Sequence, residues 1–174
     1  MTYELLDRFQ VAADIDRVWT FFSTAENLPL ITPPWLNFTI RTSGTIGIEK
    51  GTLLDYSIRW IGISLKWRTK IIEWNPPLRF VDLQVKGPYA LWHHEHRFEP
   101  VDGGVVCSDR VQYRLPLGII GRITHSMLVR RQLMSIFRYR RQAIAERLAP
   151  VRALQEDVRI QRIDAPDYTP ATNL

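Results

Sequence analysis

The sequence has a single cysteine, only four lysines and no long hydrophobic run. One cysteine, Cys107, excludes an intrachain disulfide framework and fits a reducing compartment. The apolar runs are short and interrupted, and the first residues carry neither a basic nor a hydrophobic leader pattern, so we expect no membrane span, no signal peptide and a cytoplasmic location. With 174 residues and 45% hydrophobic content, the chain fits one domain with one core.

Several motifs of enzyme chemistry are also missing. Phosphate loops, dinucleotide fingerprints and nucleophile elbows do not occur, so we expect no cofactor. The net charge of +5 comes mainly from arginine, and many arginines lie between Arg122 and Arg147. This stripe includes Arg130, Arg131, Arg138, Arg140 and Arg141. We interpret it as the exposed face of a helix and expect no nucleic-acid partner, with docking on an anionic membrane surface as an alternative.

Alternating polar and apolar residues predict a sheet. Residues 3–11 form the first strand, followed by two short helices that begin at Asp14 and at Ser23 or Thr24. Pro33 and Pro34 end the second helix. Extended segments follow at about 36–43, 52–61, 63–74, 78–85, 89–99 and 104–115, and their short links predict an antiparallel meander.

After residue 118 the apolar spacing changes to that of a helix. The recurring residues are Ile120, Ile123, Met127, Met134, Phe137, Ile144 and Leu148. They predict one long helix whose apolar stripe covers the buried face of the sheet. We expect a single domain over residues 1–148 and a flexible or surface-laid tail over 149–174.

Two turns decide which strand residues are neighbours. The Asp-Gly-Gly sequence at 102–104 predicts a hairpin in which His96 lies opposite Cys107 and His94 lies opposite Asp109. A second reversal at 86–88 would place Phe80, Asp82 and Gln84 on the face that carries His94. His93 and Glu95 then face outward into solvent. The opposite orientation of strand 80–85 stays open, because Val81, Leu83 and Val85 form an equally good buried row.

The order of elements resembles a known family. The chain has a strand, two short helices, six strands and a long helix, in that order. It also carries PPLRF at 76–80, GPY at 87–89 and WHHEHRF at 92–98. In these features it resembles the SRPBCC superfamily of START-like ligand-binding proteins, in particular its polyketide cyclase/dehydrase-like branch. Val11, Ala13 and the segment from Val18 to Phe22 add to the likeness. The resemblance implies an α+β helix-grip fold: a curved antiparallel sheet of about seven strands around a long C-terminal helix. It also implies an elongated apolar cavity for lipids, quinones, polyketides or hormones.

Our leading hypothesis is therefore binding of a small hydrophobic molecule between the sheet and the helix. Aromatic and methionine side chains would supply contact area, and polar ones would hold the polar end of the ligand. The expected ligand contacts are Trp67, Phe80, Asp82, Gln84, Trp92, His94, His96, Phe98, Tyr113, Met127, Met134 and Phe137. The buried polar members could instead form a satisfied internal network, because each unpaired buried polar group costs about 1–3 kcal/mol.

Two alternatives use the same face for chemistry. In the first, a polyketide cyclase or dehydratase uses His94 as acid/base, with Asp109 orienting the imidazole. In the second, His94 and His96 bind a transition metal together with Cys107 and Asp109. The residue pattern alone does not choose between a carrier and an enzyme.

Overall fold

The computed structural model describes residues 1–44, 46–60, 62–116, 128–154 and 157–168. The strands are β1 (Thr2–Val11), β2 (Thr39–Ile40), β3 (Leu53–Trp60), β4 (Ile63–Asn75), β5 (Arg79–Lys86), β6 (Leu91–Val101), β7 (Gly104–Arg114), β8 (Val151–Ala153) and β9 (Arg159–Ile163). The helices are α1 (Ile15–Phe22), α2 (Arg130–Arg147) and two 3-10 helices at Ala25–Leu30 and Pro34–Leu36.

The sheet has the order β2-β3-β4-β5-β6-β7-β1-β8, with β9 also paired to β1. All described pairs are antiparallel, and β2 to β7 follow one another as the predicted meander. The first strand closes this meander by pairing with β7. Strands β8 and β9 come from the segment predicted as a tail, and both pair with β1.

The short helices begin where the capping signals predict. Asp14 accepts a hydrogen bond from the backbone N–H of Arg17 at 2.8 Å and so caps α1. Val18 and Phe22 form the buried side of this helix. Thr24 precedes the first 3-10 helix, although its side chain makes no capping hydrogen bond there.

The β6–β7 hairpin corrects the predicted register. Val101 pairs with Gly104, so the turn contains only two residues, and His96 lies opposite Asp109 rather than Cys107. His94 lies opposite Val111 instead of Asp109. The tighter turn is possible because Gly103 adopts a φ of 78°, which glycine tolerates without strain. The error is two residues, so every side chain stays on its predicted face.

Strands β5 and β6 bury side chains on both faces of the sheet. Asp82 pairs with His94, so Asp82 lies on the inner face, yet Val81 on the outer face is also fully buried. The prediction that His93 and Glu95 are solvated is wrong, since both are buried. The His93 ring stacks on Tyr168 with centroids 5.3 Å apart, because the C-terminal segment lies over the outer face.

Helix α2 packs against the inner face. Leu133, Phe137 and Ile144 are buried along one side of it. The predicted residues Ile120, Ile123 and Met127 lie outside the described residues. Within the described parts of the chain, no helix combines the length and the apolar character needed to cross a bilayer.

Candidate functional site

A cavity of about 200 Å³ lies between the inner face of the sheet and α2. Its walls come from the short helices, β3 to β6 and α2. The lining side chains are Phe22, Leu28, Ile31, Thr32, Phe38, Ile48, Leu54, Tyr56, Ile58, Trp67, Thr69, Ile71, Phe80, Asp82, Tyr89, Trp92, His94, His96, Leu133, Ile136, Phe137 and Arg140. Most of these are apolar or aromatic, and the polar ones form a compact group.

Many of the sequence-predicted ligand contacts share this cavity. Those in the lining are Trp67, Phe80, Asp82, Trp92, His94, His96 and Phe137. Gln84 instead holds the backbone of Tyr89, donating to its carbonyl at 2.7 Å. Phe98 and Tyr113 pack in the core, and Met134 is partly buried against the group of core residues that includes Tyr113. Met127 lies outside the described residues.

Five buried or half-buried ionisable side chains meet at the cavity, and we call them the charged cluster: Asp82, His94, His96, Asp109 and Arg140. Both imidazoles contact both carboxylates. His94 Nε2 donates to Asp109 Oδ1 at 3.0 Å, and His96 Nδ1 lies 2.7 Å from the same oxygen, at an angle outside hydrogen-bond geometry. Asp109 therefore lies behind the two rings and orients His94 through this hydrogen bond.

Asp82 contacts the opposite edges of the same two rings. Its Oδ2 lies 3.5 Å from His94 Nδ1 and 3.4 Å from His96 Nε2. Its other oxygen, Oδ1, accepts a hydrogen bond from Thr69 Oγ1 at 3.0 Å. The strand pairing produces this arrangement, because Asp82 pairs with His94, and His96 is the next inward residue of β6.

Arg140 is the member that the sequence prediction missed. The prediction placed the arginine stripe on the exposed face of α2, whereas the side chains of Arg140 and Arg141 are only 12% and 14% exposed. The Arg140 guanidinium lies 3.8 Å from Asp109 and over the Phe22 and Phe137 rings, at 5.4 and 5.9 Å. Arg140 is three residues from the buried Phe137, and this helical spacing was the available signal.

Cys107 does not join the cluster. It lies between Phe9 and Phe98 in the strand register and packs in the core. Burial raises the pKa of its thiol. The actual hairpin register places Cys107 opposite Phe98 instead of His96, whereas the pairing of β5 with β6 brings Asp82 to the two histidines.

The cluster sets its own protonation states. Burial raises the pKa of Asp109, but Arg140 and His96 outweigh it and hold this pKa well below its usual range. Burial and the neighbouring His96 lower the pKa of His94 to about 4. For His96, burial lowers the pKa, but Asp109 and Asp82 raise it further than burial lowers it. Two carboxylates thus face the Arg140 guanidinium and two imidazoles, of which His96 is more readily protonated than His94.

A family profile covers most of this architecture. The profile described as "Polyketide cyclase / dehydrase and lipid transport" matches residues 11–136. The chain belongs to this family. Its START-like helix-grip fold is the nine-stranded antiparallel sheet with the C-terminal helix against it.

Solved structures share the fold of this polyketide cyclase/dehydrase family member. Protein TTHA0849 from Thermus thermophilus is 17% identical with a TM-score of 0.63, and 83% of this chain covers 96% of that one. A START superfamily protein from Mycobacterium smegmatis is 13% identical with a TM-score of 0.62, over 84% of this chain and 97% of that one.

A third structure is that of a protein from a biosynthetic pathway. The di-domain ARO/CYC StfQ from the steffimycin biosynthetic pathway is 17% identical with a TM-score of 0.60, over 84% of this family member and 52% of StfQ. No curated protein matches the sequence. At these identities the structural likeness supports the fold alone.

Proposed function

We propose that this protein binds a small, flat, largely apolar molecule with one polar group in the cavity between the sheet and α2. The observation that carries the proposal is the cavity itself: its aromatic lining includes four members of the charged cluster, Asp82, His94, His96 and Arg140. Ligand sites commonly combine apolar walls with a few convergent polar groups in this way.

The aromatic walls favour a planar ligand. The Tyr56 and Trp67 rings stack with centroids 5.7 Å apart and an interplanar angle of 17°. Trp92 meets Trp67 edge-on at 5.3 Å, and Tyr89 meets Trp92 at 4.8 Å. The volume of about 200 Å³ is below the roughly 300–1,000 Å³ usual for drug-sized ligands. We therefore favour a molecule of one or two rings, such as a small quinone or a cyclic polyketide fragment.

Buried donors explain how the polar group would be held. Trp67 Nε1 and Arg140 Nε are buried and make no hydrogen bond within the described residues. A buried donor left unpaired costs about 1–3 kcal/mol, so a ligand oxygen that reached either one would recover that free energy. A carbonyl, phenolate or carboxylate oxygen suits both, since each accepts without donating.

Native mass spectrometry of the gently purified protein tests the proposal, followed by identification of any co-purified molecule. Binding is then measured by titration with a panel of small quinones and phenolic ligands, with a chelator present. Leu54→Trp fills the cavity, because Leu54 is buried and lines it. Leu53→Trp is the matched control, since the neighbouring Leu53 is 46% exposed.

We expect binding that Leu54→Trp abolishes and Leu53→Trp preserves. Binding that both variants keep would place the ligand elsewhere, and a bare protein that binds no member of the panel would contradict this ligand class. Urea unfolding of both variants shows whether any loss of binding reflects loss of the fold.

A second function, a cyclase or dehydratase, is supported by one contact. His94 lines the cavity, and its Nε2–H donates to Asp109 at 3.0 Å, which is the orientation that a carboxylate gives to an acid/base imidazole. If His94 transfers the proton, His94→Gln abolishes turnover of a bound polyketide fragment while leaving its affinity within a fewfold. His93→Gln, on the outer face of the same strand, should keep full turnover. Equal turnover in both variants would remove His94 from the reaction.

A further inference from the structure

We propose that Asp82, His94 and His96 form a binding site for a divalent first-row transition metal, with zinc as the best fit. One donor atom from each residue lies within 4.8 Å of the others, inside the cavity. Two imidazoles and one carboxylate are a donor set that zinc and related metals accept, with further positions left for a ligand. The site needs no organic ligand, so it stands apart from the proposed function.

The spacing around Asp82 matches coordination better than hydrogen bonding. Its Oδ2 lies 3.5 Å from His94 Nδ1 and 3.4 Å from His96 Nε2, whereas a charge-assisted N–H···O⁻ bond is about 2.7–2.9 Å long. Two ligands at about 2.0–2.2 Å from a tetrahedral metal are about 3.3–3.6 Å apart. Both contacts therefore have the length of a tetrahedron edge.

The ring nitrogens that face Asp82 can present their lone pairs to one metal ion. Asp109 is a carboxylate and can only accept, so His94 carries its proton on Nε2, and Nδ1 presents a lone pair to Asp82 Oδ2. A lone pair that faces a carboxylate oxygen is repulsive, and a cation between them removes the repulsion. His96 Nε2 lies 3.4 Å from the same Asp82 oxygen, so one cation beside Oδ2 can be bound by both imidazoles.

Asp109 supplies the outer support that metal-binding histidines need. It lies 3.0 Å from His94 Nε2 and 2.7 Å from His96 Nδ1, the nitrogens that face away from Asp82. Carboxylates behind ligating imidazoles fix their orientation and raise their basicity. Thr69 does the same for Asp82, because it donates to Oδ1 and leaves Oδ2 for the metal.

The charges favour an anionic ligand on the metal. A divalent ion and Arg140 bring three positive charges, against two negative charges from Asp82 and Asp109. The remaining positive charge would attract hydroxide, an enolate or a phenolate to the open position beside the aromatic walls. The metal would then select the ionised form of the small oxygen-bearing molecule proposed above.

Metal titration of tag-free, chelator-treated full-length protein tests the site. Zn²⁺ affinity is measured by competition with a chromogenic chelator, and Co²⁺ substitution reports geometry, since tetrahedral Co²⁺ absorbs more strongly than octahedral Co²⁺. We expect one metal per chain and a tetrahedral Co²⁺ spectrum. Asp109→Asn should weaken Zn²⁺ binding about 10- to 100-fold, as outer-shell changes do, and Asp82→Asn, His94→Gln and His96→Gln should weaken it further.

His93→Gln is the matched control, because this buried histidine lies on the outer face of the same strand and stacks on Tyr168. It should bind Zn²⁺ as the wild type does. X-ray absorption of the wild-type Zn²⁺ complex needs no variant and should count two imidazoles and oxygen ligands. Lack of stoichiometric binding, equal loss in His93→Gln, or a count of fewer than two imidazoles would overturn the proposal. Each of these results leaves the organic-ligand titration with chelator unaffected.

Discussion

The buried charge of Asp7 offers a direct test of what controls ionisation beneath α2. Its side chain is fully buried, and Arg141 Nε donates to Oδ1 at 2.6 Å. Burial raises the pKa of Asp7 from an ordinary 3.8 to about 6. The Asp109 carboxylate also raises this pKa, whereas Arg141 and Arg140 lower it. The desolvation of this carboxylate thus outweighs its ion pair.

The size of the effect follows from those two pKa values. Between pH 3.8 and about 6, the folded chain holds a proton on Asp7 that the unfolded chain has released. Rising pH therefore destabilises the fold over this window. One pKa unit corresponds to about 1.36 kcal/mol, so the stabilisation that is present below pH 3.8 falls by roughly 3 kcal/mol once the pH exceeds about 6.

Asp7→Asn isolates this contribution, because asparagine keeps an acceptor for Arg141 and does not ionise. Urea unfolding of both proteins is measured at pH values between about 3 and 8. The free energy of unfolding of the wild type minus that of the variant should fall by roughly 3 kcal/mol as the pH rises. Asp16→Asn, at an exposed position of α1, controls for the loss of one negative charge. A difference that is constant, or that rises with pH, would refute the dominance of burial.

Three further substitutions have outcomes set by local geometry, each measured by urea unfolding. Gly104→Ala should destabilise the fold by more than about 2 kcal/mol, because its φ is +145° and an added Cβ would collide with the backbone oxygen of Val11 in β1; Gly51→Ala, with open space around it, should cost less. Phe137→Ala should cost about 3–5 kcal/mol, since the ring is 3% exposed and contacts two members of the charged cluster. Arg68→Ala should leave the free energy of unfolding almost unchanged, because its ion pair with Asp55 is half exposed.

The fold was largely predictable because each strand of the meander carries its own alternation and ends at a glycine or proline turn. The register was not, since Asp-Gly-Gly permits turns of different length and the alternation is unchanged by a slip of two residues. That slip moved Asp109 opposite His96 and removed Cys107 from the site. A slip of two residues leaves each side chain on the same face of the sheet, so His94, His96 and Asp82 share the inner face as predicted.

The electrostatic partners were harder to predict, because they depend on contacts between distant elements. The arginine pattern predicts a solvated helix face. Arg140 instead contacts Asp109 of β7, and Arg141 contacts Asp7 of β1, because α2 packs against these strands. The burial of His93 and Glu95 depends on a C-terminal segment with no strong pattern of its own. Side chains whose surroundings come from the far end of the chain have no local signal in the sequence.

The pairing of β1 has a consequence for aggregation. One side of this ten-residue strand pairs with β7, and the other side is shared by β9 along Thr2–Leu6 and β8 along Phe9–Val11. An uncovered strand edge of this length is a template for pairing with another chain. Strands β8 and β9, which follow the long helix in the chain, thus cover this edge of β1. A chain cut back to the end of α2 would keep β1 without β8 and β9, so it would expose that edge and should self-associate through it.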